Sequence, residues 1–295
     1  MHDLETIELK KLPALGPQMM GALLARKPGL ERGGELPLIS NWIGSVSLDS
    51  ARLARMRALC QIPDGACLPP TALHILAAPL HIALLTDKRV PIKAMGIVHA
   101  SNQIRCLAPV PEGASIEMGC RIGETRWKPK GLEFDLLTEA CLDGEPVWEE
   151  VTTIFSRVSD EVARKAGRER KPSAPTPEWS DAETTRWELP SNLGRAYGGI
   201  AGDRNPIHLY GWTAKLFGFS RPIIHGMYLL ARALGEMDCA GDGTENSIVF
   251  KRPVPLPGVV RMQRRTADQH TEFRLLREGV DKVLLSGRMS SRVST

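Results

Sequence analysis

The sequence predicts an α+β protein built from two copies of one plan, a helical stretch followed by a run of antiparallel strands. Three observations predict it. Segments 97–106, 115–126, 132–142 and 147–158 read as strands separated by turn-forming stretches. Segments 247–252, 259–266, 271–278 and 282–290 read the same way. Matching features of the two sets recur at an offset of roughly 140–145 residues, which makes the halves look like repeats of one unit.

Residues 1–35 read as irregular, punctuated by Pro13, Pro17, Pro28 and Gly33-Gly34. A strand from Trp42 to Leu48 then meets Asp49-Ser50, a good N-cap, and a helix with Leu53, Met56 and Leu59 on one side. After a loop from Gln61 to Pro70, Thr71 is placed to cap a longer helix to about Thr86, with Pro79 expected to kink it. The strands from Ile97 to Val158 follow. Pro109-Val110-Pro111-Glu112-Gly113, Lys128-Pro129-Lys130-Gly131 and Asp143-Gly144 separate them, turn chemistry for an antiparallel meander.

Residues 159–181 read as a basic, proline-rich linker with Arg164, Lys165, Arg168, Arg170 and Lys171, then Pro172, Pro175 and Pro177. The second half repeats the first. Trp187 to Pro190 is a short strand, and Ser191-Asn192 caps a helix to about Ile200. A further helix runs from Gly226 to about Met237. The last four strands come next, separated by Gly241-Asp242-Gly243, Pro255-Leu256-Pro257-Gly258 and Glu278-Gly279. The expected organisation is a first domain over 1–158, a linker over 159–181 and a second domain over 182–295. The two sheets are expected to pair edge to edge as a pseudo-dimer.

Composition narrows the class. The chain has 295 residues, 42% apolar and 24% charged, enough for a sizeable core. A net charge of +4 and 5% aromatic residues argue against a dedicated nucleic-acid binder, which would show a basic stripe with stacking aromatics. The six cysteines include no C-x-x-C pair and no histidine at zinc spacing, so reduced thiols and no metal site are expected. The start, Met1-His2-Asp3-Leu4-Glu5, is polar, and the most apolar segment, Leu73 to Leu85, is too short to span a bilayer. The expectation is a soluble cytoplasmic protein that binds neither nucleic acid nor membrane.

Two blocks carry chemistry. In Gly202-Asp203-Arg204-Asn205-Pro206-Ile207-His208 a carboxylate and an imidazole stand five residues apart across an Asn-Pro step. That step cannot be continuous helix, since the residue before proline is pushed to extended geometry. Asp203 and His208 can therefore curl toward one point. In Arg221-Pro222-Ile223-Ile224-His225-Gly226-Met227, Gly226 stands at a helix start, where backbone N–H groups can hold a developing oxyanion. His225 reads as a structural donor fixing that start. At the repeat offset Asp203 falls against Ile62 and His208 near Cys67, so the first half lacks this pair and one active site per chain is expected. His74, His81 and His99 read as core or pocket-lining. Arg261, Arg264 and Arg265 read as a solvated sheet face.

These blocks resemble the hydratase-2 signature of the MaoC-like hotdog proteins, the (R)-specific enoyl-CoA hydratases and (3R)-hydroxyacyl-thioester dehydratases. Residues 94–102 and 147–153 resemble the amino-terminal half of the two-hotdog dehydratases of the mycobacterial fatty-acid type. The resemblance spans about residues 40–290 and implies a double hotdog, two tandem domains that each wrap a long helix in an antiparallel sheet. It implies Asp203 and His208 as the catalytic pair and the Gly226 N–H as the oxyanion donor. Asn205 and Pro206 would shape the loop that aims the pair. The implied reaction is reversible hydration of 2-enoyl thioesters to (3R)-hydroxyacyl thioesters of CoA or acyl carrier protein, in fatty-acid metabolism. No cofactor is implied beyond that carrier, and a homodimer of pseudo-dimers is one form the chain could take. One position departs, because short-chain single-hotdog hydratases carry a serine further along the central helix, where Leu234 stands.

A hotdog acyl thioesterase would use the same scaffold, and a non-catalytic acyl-binding or assembly protein is the alternative of another class. The Asp-x-Asn-Pro-x-His block speaks against the first, because thioesterases of this fold place their carboxylate differently. Its presence in only one half speaks against the second.

Overall fold

Strand Glu5–Leu9 (β1) opens the chain and helix Leu15–Leu24 (α1) follows, both inside the stretch expected to be irregular. The alternation Glu5, Thr6, Ile7, Glu8, Leu9 is the period of a strand, and β1 is stabilised by lying parallel to strand Ile39–Val46 (β2). These coordinates form a computed structural model that describes residues 5–94, 96–158, 160–168, 179–239, 243–267 and 269–290. Met95, the turn residues Gly241 and Asp242, and Arg170, Lys171, Pro172, Pro175 and Pro177 of the expected linker lie outside the described residues.

Helix Ser50–Cys60 (α2) begins where Asp49 accepts the Arg52 N–H at 3.1 Å, the expected N-cap. Helix Ala72–Thr86 (α3) begins after Thr71, whose side chain makes no capping bond. It carries Pro79 internally and buries Leu76, Ala77, Leu80 and Leu84. A helix apolar on nearly every side is one enclosed by the rest of its domain. Strands Val98–Cys106 (β3), Ile116–Lys128 (β4), Gly131–Leu142 (β5) and Glu145–Arg157 (β6) form the meander, within about two residues of expectation. On β6 the inward positions are Trp148, Glu150, Thr152 and Ile154, which puts one carboxylate into the core.

Helix Glu161–Arg168 (α4) occupies part of the segment expected to be linker. Strand Glu183–Leu189 (β7) and helix Leu193–Ala201 (α5) lead to a 3-10 turn at Pro206–His208. Helix Gly211–Leu216 (α6) and helix Gly226–Glu236 (α7) follow. Strands Thr244–Phe250 (β8), Gly258–Ala267 (β9), His270–Arg277 (β10) and Val280–Ser290 (β11) complete the second half.

The described strands form one sheet in the order β1-β2-β4-β5-β6-β3-β8-β11-β10-β9-β7. All neighbours except β1 and β2 are antiparallel. The halves meet where β3 pairs with β8, Gln103 opposite Ser247. This is the edge-to-edge pairing expected of two hotdog sheets, and it removes two exposed edges at once.

The expected solvated arginine face is partly exposed and also carries ion pairs and ring contacts. Arg264 pairs with Glu183, and Arg265 pairs with Glu272. Arg265 and Arg274 both lie over the Trp179 ring, at 4.4 and 4.2 Å from its centre. Among the described residues no helix is long and apolar enough to cross a membrane.

Candidate active site

Gly202 ends α5 in the left-handed region at φ +80°, a conformation glycine takes without steric cost. Its N–H closes on the Gly198 carbonyl at 2.9 Å, and the chain leaves the helix into the Asp203 loop. Asp203 Oδ1 accepts the Asn205 N–H at 3.0 Å, tightening the bend. Asn205 is extended, as a residue before proline must be, and its Oδ1 accepts the Ile207 N–H at 3.3 Å. Pro206 then starts the 3-10 turn that delivers His208.

The second block locks onto the first by backbone bonds. The Ile223 N–H donates to the Ile207 carbonyl at 3.0 Å. His208 Nδ1 donates to the Ile223 carbonyl at 2.7 Å, and His225 Nε2 donates to the Asp203 carbonyl at 3.0 Å. Because carbonyls only accept, these bonds assign a proton to each of those nitrogens. The free lone pair of neutral His208 is therefore on Nε2, which faces Asp203 Oδ2 at 3.9 Å. That is too far for a direct hydrogen bond. Both atoms are acceptors, so the gap suits a water or hydroxyl that donates to each.

The electrostatics keep both groups in acceptor form. Burial disfavours the Asp203 carboxylate, but the His225 and His208 imidazoles and the Asn205 N–H outweigh it and hold its carboxyl below the usual range. Burial lowers His208, against the pull of Asp203 and of the bond to Ile223. Burial and the adjacent His208 push His225 down to about 3, so it serves as a neutral structural donor. The two rings stack at 3.7 Å, which bars a charge on both. The side chain of Asp203 is 42% exposed and that of His208 10%, so the carboxylate lies nearer solvent.

His225 is also the N-cap residue of α7, so Gly226 takes the first helical position directly beside the Asp203 loop. The first N–H groups of a helix have no partner within it, and the helix dipole adds positive potential there. The Phe250 ring fills the space next to the Gly226 Cα, where a Cβ would come within 2.6 Å. Asp203, His208, Gly226, Asn205 and Pro206 are thus gathered in one place. Donor atoms of Asp203, His208 and His225 also lie within 4.8 Å of one another. His225 Nε2 is committed to a carbonyl, so two donors remain, short of the three protein ligands of a catalytic zinc.

Several supporting groups were not legible in sequence. Gly194 and Gly198, one helical turn apart on α5, let that helix touch the loop backbone. A Cβ at Gly194 would lie 2.1 Å from the His208 carbonyl oxygen, and one at Gly198 2.7 Å from that of Asp203. Their four-residue spacing is the signal that could have found them. Arg52, from α2 in the first half, donates to the Ile200 carbonyl at 2.6 Å and so braces the end of α5. No local pattern marks it.

Residues 176–283 match the family described as MaoC like domain. The chain is 30% identical over 242 residues to 3-hydroxyacyl-thioester dehydratase X of Mycobacterium tuberculosis, covering 81% of this chain and 84% of that protein. It is 28% identical over 158 residues to the enoyl-CoA hydratase ChsH3 of the same organism, covering 52% and 54%. The crystal structure of HtdX from Mycobacterium tuberculosis superposes with a TM-score of 0.74 at 26% identity, covering 84% of this chain and 98% of that one. A MaoC-like dehydratase from Phytophthora capsici shares the fold, with a TM-score of 0.68 at 17% identity over 87% of this chain and 95% of that one.

Proposed function

The chain belongs to the MaoC-like family of 3-hydroxyacyl-thioester dehydratases, and from that premise we propose that it interconverts 2-enoyl and (3R)-hydroxyacyl thioesters at Asp203 and His208. The observation that carries the reading is the pair of acceptor atoms, Asp203 Oδ2 and His208 Nε2, 3.9 Å apart beside the start of α7. In hydration, water donates to both. Its oxygen adds to C3 of the enoyl group as one of its protons passes to the pair. C2 takes a proton from the pair, and the net change is one water added. Both transfers come from one side of the substrate, so hydrogen and hydroxyl arrive on the same face.

Charge that builds on the thioester oxygen is held by the Gly226 N–H and the α7 dipole. One such donor typically contributes about 3–4 kcal/mol, and each proton transfer on the order of 10²–10⁴-fold. The pair titrates as a unit, so its two protons belong to both side chains together. Proton and water transfer require neither an electron carrier nor a Lewis acid. The CoA or acyl carrier thioester is the substrate's own handle. The site-bearing unit is taken as residues 182–295, with residues 1–158 shaping the pocket.

The test is to mix the protein with crotonyl-CoA and then with C4 to C16 2-enoyl-CoAs, following the enoyl-thioester absorbance and the chirality of the product. Loss of that absorbance with (3R) product is the expected result. Thiol release without hydration, or binding without turnover, would overturn the assignment.

A further inference from the structure

The first half lacks a counterpart of Asp203 and His208 at Ile62 and Cys67, yet it holds an ionisable cluster elsewhere. His74 and His81 lie two turns apart on α3 and converge on Glu150 of β6, whose side chain is 0% exposed. His74 Nδ1 and Asn102 Nδ2 each stand 2.7 Å from Glu150 Oε1. His81 Nε2 stands 3.8 Å from Oε2 and 2.7 Å from Thr138 Oγ1. The ring of His99 stacks on that of His74 at 6.0 Å.

Polar balance is the unusual feature. Among the described residues, three buried atoms of this cluster have no hydrogen-bond partner: Glu150 Oε2, Asn102 Oδ1 and His99 Nε2. Two are oxygens that can only accept. Buried polar atoms are nearly always paired, and an enclosed carboxylate oxygen without a donor is costly. An acceptor surplus of this kind is met by a cation or by a donor, and the two imidazoles beside the carboxylate make a cation the fitting occupant.

We propose that His74, His81 and Glu150 form a binding site for a divalent transition metal of the zinc class, which ties α3 to β6 in the first half. One donor atom from each of the three residues lies within 4.8 Å of the others. Two ligands about 2.1 Å from one zinc at a tetrahedral angle stand about 3.4 Å apart. His74 Nδ1 stands 2.7 Å from Glu150 Oε1, closer than that value, and His81 Nε2 3.8 Å from the other oxygen, Oε2, farther than it, so binding shifts the three side chains by several tenths of an ångström. Imidazole with carboxylate is a donor set suited to zinc and cobalt rather than to magnesium or calcium. Asn102 Nδ2 holds Glu150 Oε1 as an outer partner. The Thr138 hydroxyl, 2.7 Å from His81 Nε2, is a rotor that turns aside when that nitrogen takes the metal, as the fixed carbonyl on His225 cannot. His74 is 13% exposed and forms the side from which an ion enters. Hydration at Asp203 and His208 does not use this ion, so the site is structural.

The experiment uses the full chain, stripped with EDTA and titrated with cobalt chloride. The expected result is one equivalent bound with the visible absorption of four-coordinate Co²⁺, and a Tm raised by about 4 °C at a hundredfold excess over Kd. Glu150→Gln should lose both signals, whereas Asp203→Asn should keep both. If Glu150→Gln does not fold, His81→Asn is read in its place. Failure of the wild-type chain to bind stoichiometric Co²⁺ would overturn the proposal. Signals that survive in the first-half variant, or vanish in Asp203→Asn, would do so equally. Enoyl-CoA turnover is not the readout, so failure here leaves the hydratase reading standing.

Discussion

Gly194→Ala tests whether the reaction depends on where the backbone holds His208. A Cβ on Gly194 would lie 2.1 Å from the His208 carbonyl oxygen and 3.1 Å from its carbonyl carbon. Real Cβ contacts essentially never fall below 3.0 Å, so α5 and the 3-10 turn must separate by at least 3.0 − 2.1 = 0.9 Å. The obstacle is backbone, which cannot swing aside as a side chain would. Overpacking of this kind costs typically about 1–3 kcal/mol of stability. Moving a catalytic group by about 1 Å costs on the order of 10²-fold in rate. Gly199→Ala is the matched control, on the same helix, exposed, and with nothing within 4 Å of its Cβ. It should leave the rate unchanged and raise stability by roughly 0.5–1 kcal/mol. Initial rates of crotonyl-CoA hydration and urea midpoints, measured on the same preparations, read both effects. A folded Gly194→Ala protein with kcat within about threefold of wild type, less than 1 kcal/mol in barrier, would refute the reasoning.

Other outcomes follow from the same geometry. Asp203→Asn and His208→Ala should each lower kcat by on the order of 10²–10⁴-fold or more while the urea midpoint shows a folded protein; near-full activity in either removes it from the site. Gly226→Pro deletes the proposed oxyanion donor at a position where proline suits a helix start and His225 is already extended. Its kcat should fall about 10²–10³-fold below that of Gly226→Ala, which meets Phe250 but keeps the N–H. His81 and His225, 5% and 4% exposed, are lowered by burial from 6.5 to about 4 and about 3. Between those values and 6.5 the unfolded chain binds more protons than the folded one, so stability falls as pH drops below 6.5. The slope should be about 1.4 kcal/mol per pH unit for each imidazole, and urea midpoints at pH 7, 6 and 5 measure it.

Local signals read correctly where the chain decides structure over a few residues. Asp49 caps α2, the Asn205-Pro206 step bends the loop, and Gly226 opens α7, because each depends on backbone sterics and neighbouring hydrogen bonds. The strands of both halves were legible from their turns. The stretch before residue 36 was misread because β1 exists only through its pairing with β2, which lies some thirty residues further on. The ion pairs of Arg264 and Arg265 on β9 were not legible for a related reason. Their partners Glu183, Glu272 and Trp179 are near in space but come from other segments.

The sequence by itself determined the fold class, the repeat, and a carboxylate and imidazole placed to meet before a helix start. These are carried by residue type and spacing along one continuous backbone. Only the tertiary structure decided which nitrogen of His208 holds the lone pair, since that depends on the Ile223 carbonyl delivered by a separate loop. It alone also decided how close α5 comes to the loop backbone at Gly194 and that His74 and His81 converge on Glu150. Such facts are distances between segments separated along the chain, set by how the elements pack, and a local pattern such as the Gly194-Gly198 spacing can hint at a close approach without saying what is approached.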